Sequence, residues 1–136
     1  MPSLILICSA ALIALTLALA FYTSLQRGAS KKIAYHAPLD PSSAMAKAQR
    51  AHGNAAEYAA LLVALFLILG FAYQGRDLGA LASWTVIAVT VARFVHAFGF
   101  LVSKTLEDIS IFKVIGGLVT YLGGLVLAGL VIAKAL

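Results

Sequence analysis

The placement of charge constrains this chain more than any other feature. No Asp, Glu, Lys or Arg occurs in residues 1–26, 58–75, 78–92, 94–103 or 114–133. A bilayer's hydrocarbon core is crossed by about 20 predominantly apolar helical residues, each rising about 1.5 Å. The runs therefore predict four transmembrane helices, at 3–26, 51–74, 78–102 and 113–134. A closed barrel also satisfies its backbone in lipid, but it needs alternating strands of about ten residues, and these runs are continuous. The expected fold class is all-α, an integral membrane four-helix bundle forming one domain over residues 1–136.

Composition agrees. The chain is 62% hydrophobic and 11% charged, against about 45–50% and about 25% in soluble domains. Fifteen charged residues cannot cover a globule, which excludes a soluble domain, a disordered chain and a nucleic-acid-binding module. One cysteine, Cys8, supports neither a disulfide framework nor a cysteine-rich metal site.

The first run lacks a basic segment before it and exceeds the apolar stretch of a signal peptide, so it reads as a retained span. The first connection carries Arg27, Lys31, Lys32 and Lys47, and the third carries Lys104 and Lys113. Alternating spans place these two loops on one side, opposite Arg76, Lys134 and both termini. An excess of Lys and Arg marks cytoplasmic loops. The expectation is a multi-pass protein with its first and third loops in the cytoplasm. Pro38 to Ser43 is turn-forming, and Ser42 or Ser43 is placed to cap a second helix that begins before the membrane. Gly116-Gly117 and Gly123-Gly124 give the fourth helix a smooth packing face.

Ionisable groups inside spans are costly and usually functional. One cluster opens the second helix: Arg50, His52, Asn54, Glu57 and Tyr58. The other lies late in the third: Arg93 and His96, followed by Phe100. At about 100° per residue, Arg50, Asn54, Glu57 and Tyr58 fall at roughly 0°, 40°, 340° and 80°, a single stripe. His52, near 200°, faces elsewhere, toward a neighbouring subunit. Arg93, His96 and Phe100 share a second stripe, within about 60°. The second helix starts, and the third ends, at the same membrane face, so the stripes converge. Such a pocket suits a small ligand with carboxylates, an amine and peptide bonds, because Arg presents a planar fork to carboxylates. The plainer alternative pairs Glu57 with Arg50 or Arg93 to neutralise charge between helices. By itself, His96 also fits a hydrogen-bonded helix contact. Phe94, Phe98 and Trp84 read as lipid-facing or core aromatics. His52 and Glu57 do not share a face, no HExxH spacing occurs, and His36 is distant in the loop, so no metal is expected.

The run Arg50-Ala-His52-Gly53-Asn54-Ala-Ala-Glu57-Tyr58, followed by Arg93-x-x-His96-x-x-Gly99-Phe100, resembles the MAPEG family, membrane-associated proteins in eicosanoid and glutathione metabolism. The likeness is nearest to short bacterial members. It implies a homotrimer that binds glutathione between subunits near the cytoplasmic face. Arg50, Asn54, Glu57 and Tyr58 would contact glutathione from one subunit and His52 from its neighbour, with Arg93 and His96 matching the third helix's pair. Lys31 or Lys32 corresponds weakly to a basic residue after the first helix.

Two departures stand out. Phe100 occupies a position where several members have Tyr, and no Arg follows Arg93, although eukaryotic enzymes carry one thought to stabilise the glutathione thiolate. The implied function is a glutathione transferase or peroxidase acting on lipophilic substrates that enter from the bilayer between the first and fourth helices. Arg93 or Lys104 would supply the activating charge. The alternatives are a non-catalytic binding or scaffold protein and a small proton-coupled transporter.

Overall fold

The computed structural model describes residues 2–30, 40–74 and 76–136. It contains four helices, α1 (Ser3–Ser30), α2 (Ala44–Ala72), α3 (Gly79–Val102) and α4 (Ile111–Ala135). Each is long and apolar enough to cross a membrane. Expected spans and observed helices agree in number and order. They differ at the ends, because spans were bounded by charge whereas helices stop where backbone partners and caps run out. Thus α1 runs past Arg27, and α2 begins seven residues before the expected span. Its cap is Ser43, whose Oγ accepts from the Ala46 amide at 3.1 Å. Asp40 in turn accepts from the Ser42 amide and hydroxyl, both at 2.8 Å, and these bonds hold its carboxyl below the usual range. His36, Pro38, Lys31, Lys32 and Gly75 lie outside the described residues.

Contacts between connections establish an up-and-down bundle. The Leu106 amide donates to the Pro41 carbonyl at 3.0 Å and Lys47 Nζ to the Ser103 carbonyl at 3.2 Å, so the first and third connections share one end. At the other end, Pro2–Leu4 and Asp77–Ala80 line one cavity, and the Lys134 ammonium lies 5.0 Å from the Tyr73 ring centroid. Helices α2 and α3 occupy the centre; α1 packs most on α2 and α4 on α3, while among the described residues no Cα of α1 comes within 8 Å of one of α4.

Two apolar clusters fill the interior. One, near the termini, joins Ile5, Leu12, Leu62, Phe66, Leu69, Val86, Val89 and Leu127. The other, toward the first and third connections, is built from Leu19, Ala51, Ala55, Ala97 and Phe100. Its small residues bring α2 and α3 close enough for polar groups to meet. Outside, Phe21, Leu61, Phe71, Trp84, Leu125 and others are largely exposed. Apolar surface on this scale is tolerable in lipid and not in water.

Helix α4 approaches α3 through glycine. A Cβ on Gly116 would lie 2.6 Å from His96 Cβ and 2.8 Å from the Ala92 carbonyl oxygen, and one on Gly123 would collide with Val89. Seven residues apart, they are the smooth face expected of α4. Gly117 and Gly124 are not pinched, so only half of each pair serves the seam. Gly116→Leu should lower stability by about 1–3 kcal/mol or more, whereas Gly129→Ala, in open space within α4, should not lower it, as read by thermal unfolding in detergent. A carboxyl with a depressed pKa stabilises the fold above its unfolded value of about 3.9 and stops doing so as pH falls through the lower folded value. The stability gap between wild type and Asp40→Asn, measured against pH, should therefore be present at neutral pH and close in acid.

A candidate ligand site around a buried arginine

Most hydroxyls inside the helices satisfy themselves. Thr16, Thr23, Thr85, Thr90, Ser103 and Thr120 each donate to the carbonyl four residues earlier, a local bond that leaves them structurally neutral. Polar side chains that reach across helices form a different set, and they gather at one level.

Arg93 is central to it, only 2% exposed. Its Nη2 donates to both oxygens of Asn54, at 2.5 Å to Oδ1 and 3.2 Å to the backbone carbonyl. The guanidinium carbon lies 4.8 Å from the Tyr58 ring centroid, within cation–π range. Among the described residues no carboxylate pairs with it. Glu57 pairs instead with Arg50 at 3.7 Å, both side chains being more than half exposed. An exposed pair at that distance holds its members weakly. The expected pairing of Glu57 is therefore to Arg50, and Arg93 is left with a buried charge met by neutral oxygens.

The remaining members divide. His96 Nδ1 lies 2.7 Å from the Lys113 carbonyl. Since a carbonyl only accepts, Nδ1 carries the proton and links α3 to α4, and the ring also meets Phe100 edge-on at 5.1 Å. Phe100 does without a hydroxyl by receiving the Arg50 guanidinium at 6.0 Å and the Lys113 ammonium at 5.6 Å from its centroid. His52 points off the stripe, half-buried and with no polar contact among the described residues. Lys104 is exposed and likewise uncontacted. The lipid-facing reading of Phe94, Phe98 and Trp84 matches their exposure.

Two participants were not singled out from the sequence, and both are on α4. Lys113 Nζ donates to the Leu106 carbonyl at 3.3 Å and to that of Asp108, tying the third connection to the helix. The Tyr121 hydroxyl meets that of Tyr58 at 3.3 Å, the rings 5.8 Å apart. Their signal was present: Lys113, Gly117, Thr120, Tyr121 and Gly124 fall within about 100° of one another on a helical wheel, so this stripe turns toward α2 and α3. Tyrosine's apolar ring hid it within a hydrophobic run.

The sequence matches the profile of the MAPEG family over residues 5–133. The chain belongs to the MAPEG family. No curated protein matches it. Within a family whose members differ in function, the side chains around Arg93 must decide what this chain does.

Asn54 supplies the strongest polar contact Arg93 has. Asn54→Ala should cost about 1.5–3 kcal/mol, the worth of a hydrogen bond to a charged group, whereas Glu57→Gln should cost less than about 1 kcal/mol because its pair is exposed. Denaturant unfolding of the purified variants in detergent gives both numbers.

Proposed function

We propose that this chain binds glutathione around Arg93 and uses it to conjugate lipophilic electrophiles or to reduce lipid hydroperoxides. The observation that carries this reading is the buried Arg93 cation, which has Asn54 oxygens and an aromatic face for company but no carboxylate among the described residues. A buried charge without a counter-ion is expensive, and an anionic ligand would relieve that cost. Arg50 and Glu57, weakly held to each other, would part to take the ligand's carboxylate and ammonium. His52, facing away from this stripe, would reach glutathione held by an adjacent subunit of a homotrimer.

In conjugation, the cationic surroundings favour the thiolate over the thiol. Its sulfur attacks an electrophilic carbon, and the displaced group departs with its electron pair. In peroxide reduction two glutathiones become the disulfide while the hydroperoxide becomes an alcohol and water. Because α1 and α4 stay more than 8 Å apart between Cα atoms within one chain, an access route between neighbouring α1 and α4 helices would be lined by two subunits. The charge bias of the first and third connections would place the site at the cytoplasmic face.

A second reading has an observation in its favour. Lys104 is exposed and uncontacted among the described residues, and the Lys113 ammonium is occupied by backbone carbonyls, so neither is committed to a thiolate. A chain that holds glutathione without activating it, a binding or scaffold protein, fits that arrangement.

Calorimetry in detergent should show glutathione binding that weakens about tenfold or more in Arg50→Ala, whose exposed side chain can be removed without harming the fold. Conjugation of a lipophilic acceptor should fall in Arg93→Ala or Lys104→Ala. Binding with no turnover would establish the scaffold reading; no binding would sink both.

A further inference from the structure

The third connection, residues 103–110, disposes of its backbone in an unusual way. Lys47 Nζ reaches from α2 to the Ser103 carbonyl at 3.2 Å, and Lys113 Nζ reaches back from α4 to those of Leu106 and Asp108. The Thr105 amide donates to Asp108 Oδ2 at 2.8 Å and the Leu106 amide to the Pro41 carbonyl at 3.0 Å. Two ammonium groups and a carboxylate are thus spent on peptide groups that water would satisfy on an open surface. Where water is scarce the same bonds become necessary, because irregular backbone near lipid must find its polar partners within the protein.

The connection also carries an apolar residue that the bundle does not cover. Ile109 is 91% exposed, although Leu106, three residues earlier, packs against the cluster of Ala51, Ala55 and Phe100. Ser110 is extended, so Ile109 and Ile111 on its two sides point the same way. Ile111 begins the exposed row of α4 that continues through Ile115 and Leu118. Phe98, on the exposed row of α3, meets Phe112 edge-on at 5.4 Å and joins the two helices on this side. The surface that faces hydrocarbon along both helices therefore continues past their ends onto the connection.

We propose that the third connection is a membrane-interfacial segment, seated by Ile109 among the upper acyl chains of the lipid, and that Lys113 makes this possible by satisfying its carbonyls. It is not a loop in bulk water. Lys104 and Glu107, both exposed, form the edge that meets head groups and solvent. Leu106 and Glu107 also wall a cavity of about 560 Å³ that Gln49 and Arg50 line. The depth at which Ile109 seats the segment therefore sets the level at which that cavity opens.

Trp84 is the chain's single tryptophan, so Ile109→Trp in a Trp84→Phe background reports on the connection alone. The position is open enough to accept the larger ring. In phosphatidylcholine vesicles, lipid brominated high on its acyl chains should remove most of this emission, and aqueous iodide should remove little of it. Glu107→Trp in the same background should show the reverse. Adding Lys113→Met, which leaves the Leu106 and Asp108 carbonyls without their ammonium, should draw the segment into water: emission shifts to the red and iodide quenching rises. Ready quenching of Ile109→Trp by iodide overturns the proposal. So does resistance to both quenchers, which means that a second copy of the chain covers the position. Lipid quenching unchanged by Lys113→Met overturns it as well, since the paired carbonyls then have no part in the seating. Glutathione binding enters none of these readings, so the proposal stands or falls apart from the functional one.

Discussion

The contact between Arg93 and Asn54 is the constraint around which the rest is arranged. A guanidinium inside a membrane bundle must find oxygen, and the nearest is on another helix. Asn54 supplies two, at 2.5 and 3.2 Å. To reach them α3 must lie close to α2, which the alanines at 48, 51, 55 and 97 permit by withholding bulk. On the far side α4 closes over His96 through Gly116, so the third helix is held from both flanks. Small residues therefore set the spacing, and the polar contacts exploit it.

This arrangement also separates two kinds of polarity. Thr16, Thr23, Ser24, Thr85, Thr90 and Thr120 bond backward along their own helices and ask nothing of their neighbours. Arg93, His96, Tyr58 and Tyr121 bond across helices, and each such bond fixes one helix relative to another, while the Lys113 ammonium ties the third connection back to α4. Placed toward one end of the bundle, they leave the opposite half to the apolar cluster of Ile5, Phe66 and Leu127. Stability and candidate chemistry thus occupy different depths of the same molecule. Among the described residues the polar half is where a buried cation remains without a carboxylate, and the apolar half is where a cavity of about 520 Å³ opens between α2 and α4.

Much of this was legible in the residues. Charge-free runs reveal membrane spans because a charge in hydrocarbon is costly, and a helical wheel aligns Arg50, Asn54, Glu57 and Tyr58 because the repeat of an α-helix is fixed. Even the Ser43 cap could be anticipated, since its bond is local to one turn. Less was legible about partners. Nothing in the spacing says that Glu57 turns to Arg50 rather than Arg93, or that the His96 ring donates to a backbone carbonyl of α4. Those choices depend on distances between helices that are far apart in the chain.

What the sequence determined by itself is the membrane-spanning class, the number and order of helices, and which residues share a face. Each follows from local rules of burial and periodicity. Only the tertiary structure decided that α4 joins the polar cluster through Lys113 and Tyr121, that Arg93 rests on neutral oxygens, and that a groove opens beside it. The reason is geometric: helix-to-helix distances are set by the summed volumes of residues from separate segments, and Gly116 against His96 is a contact that no single segment contains.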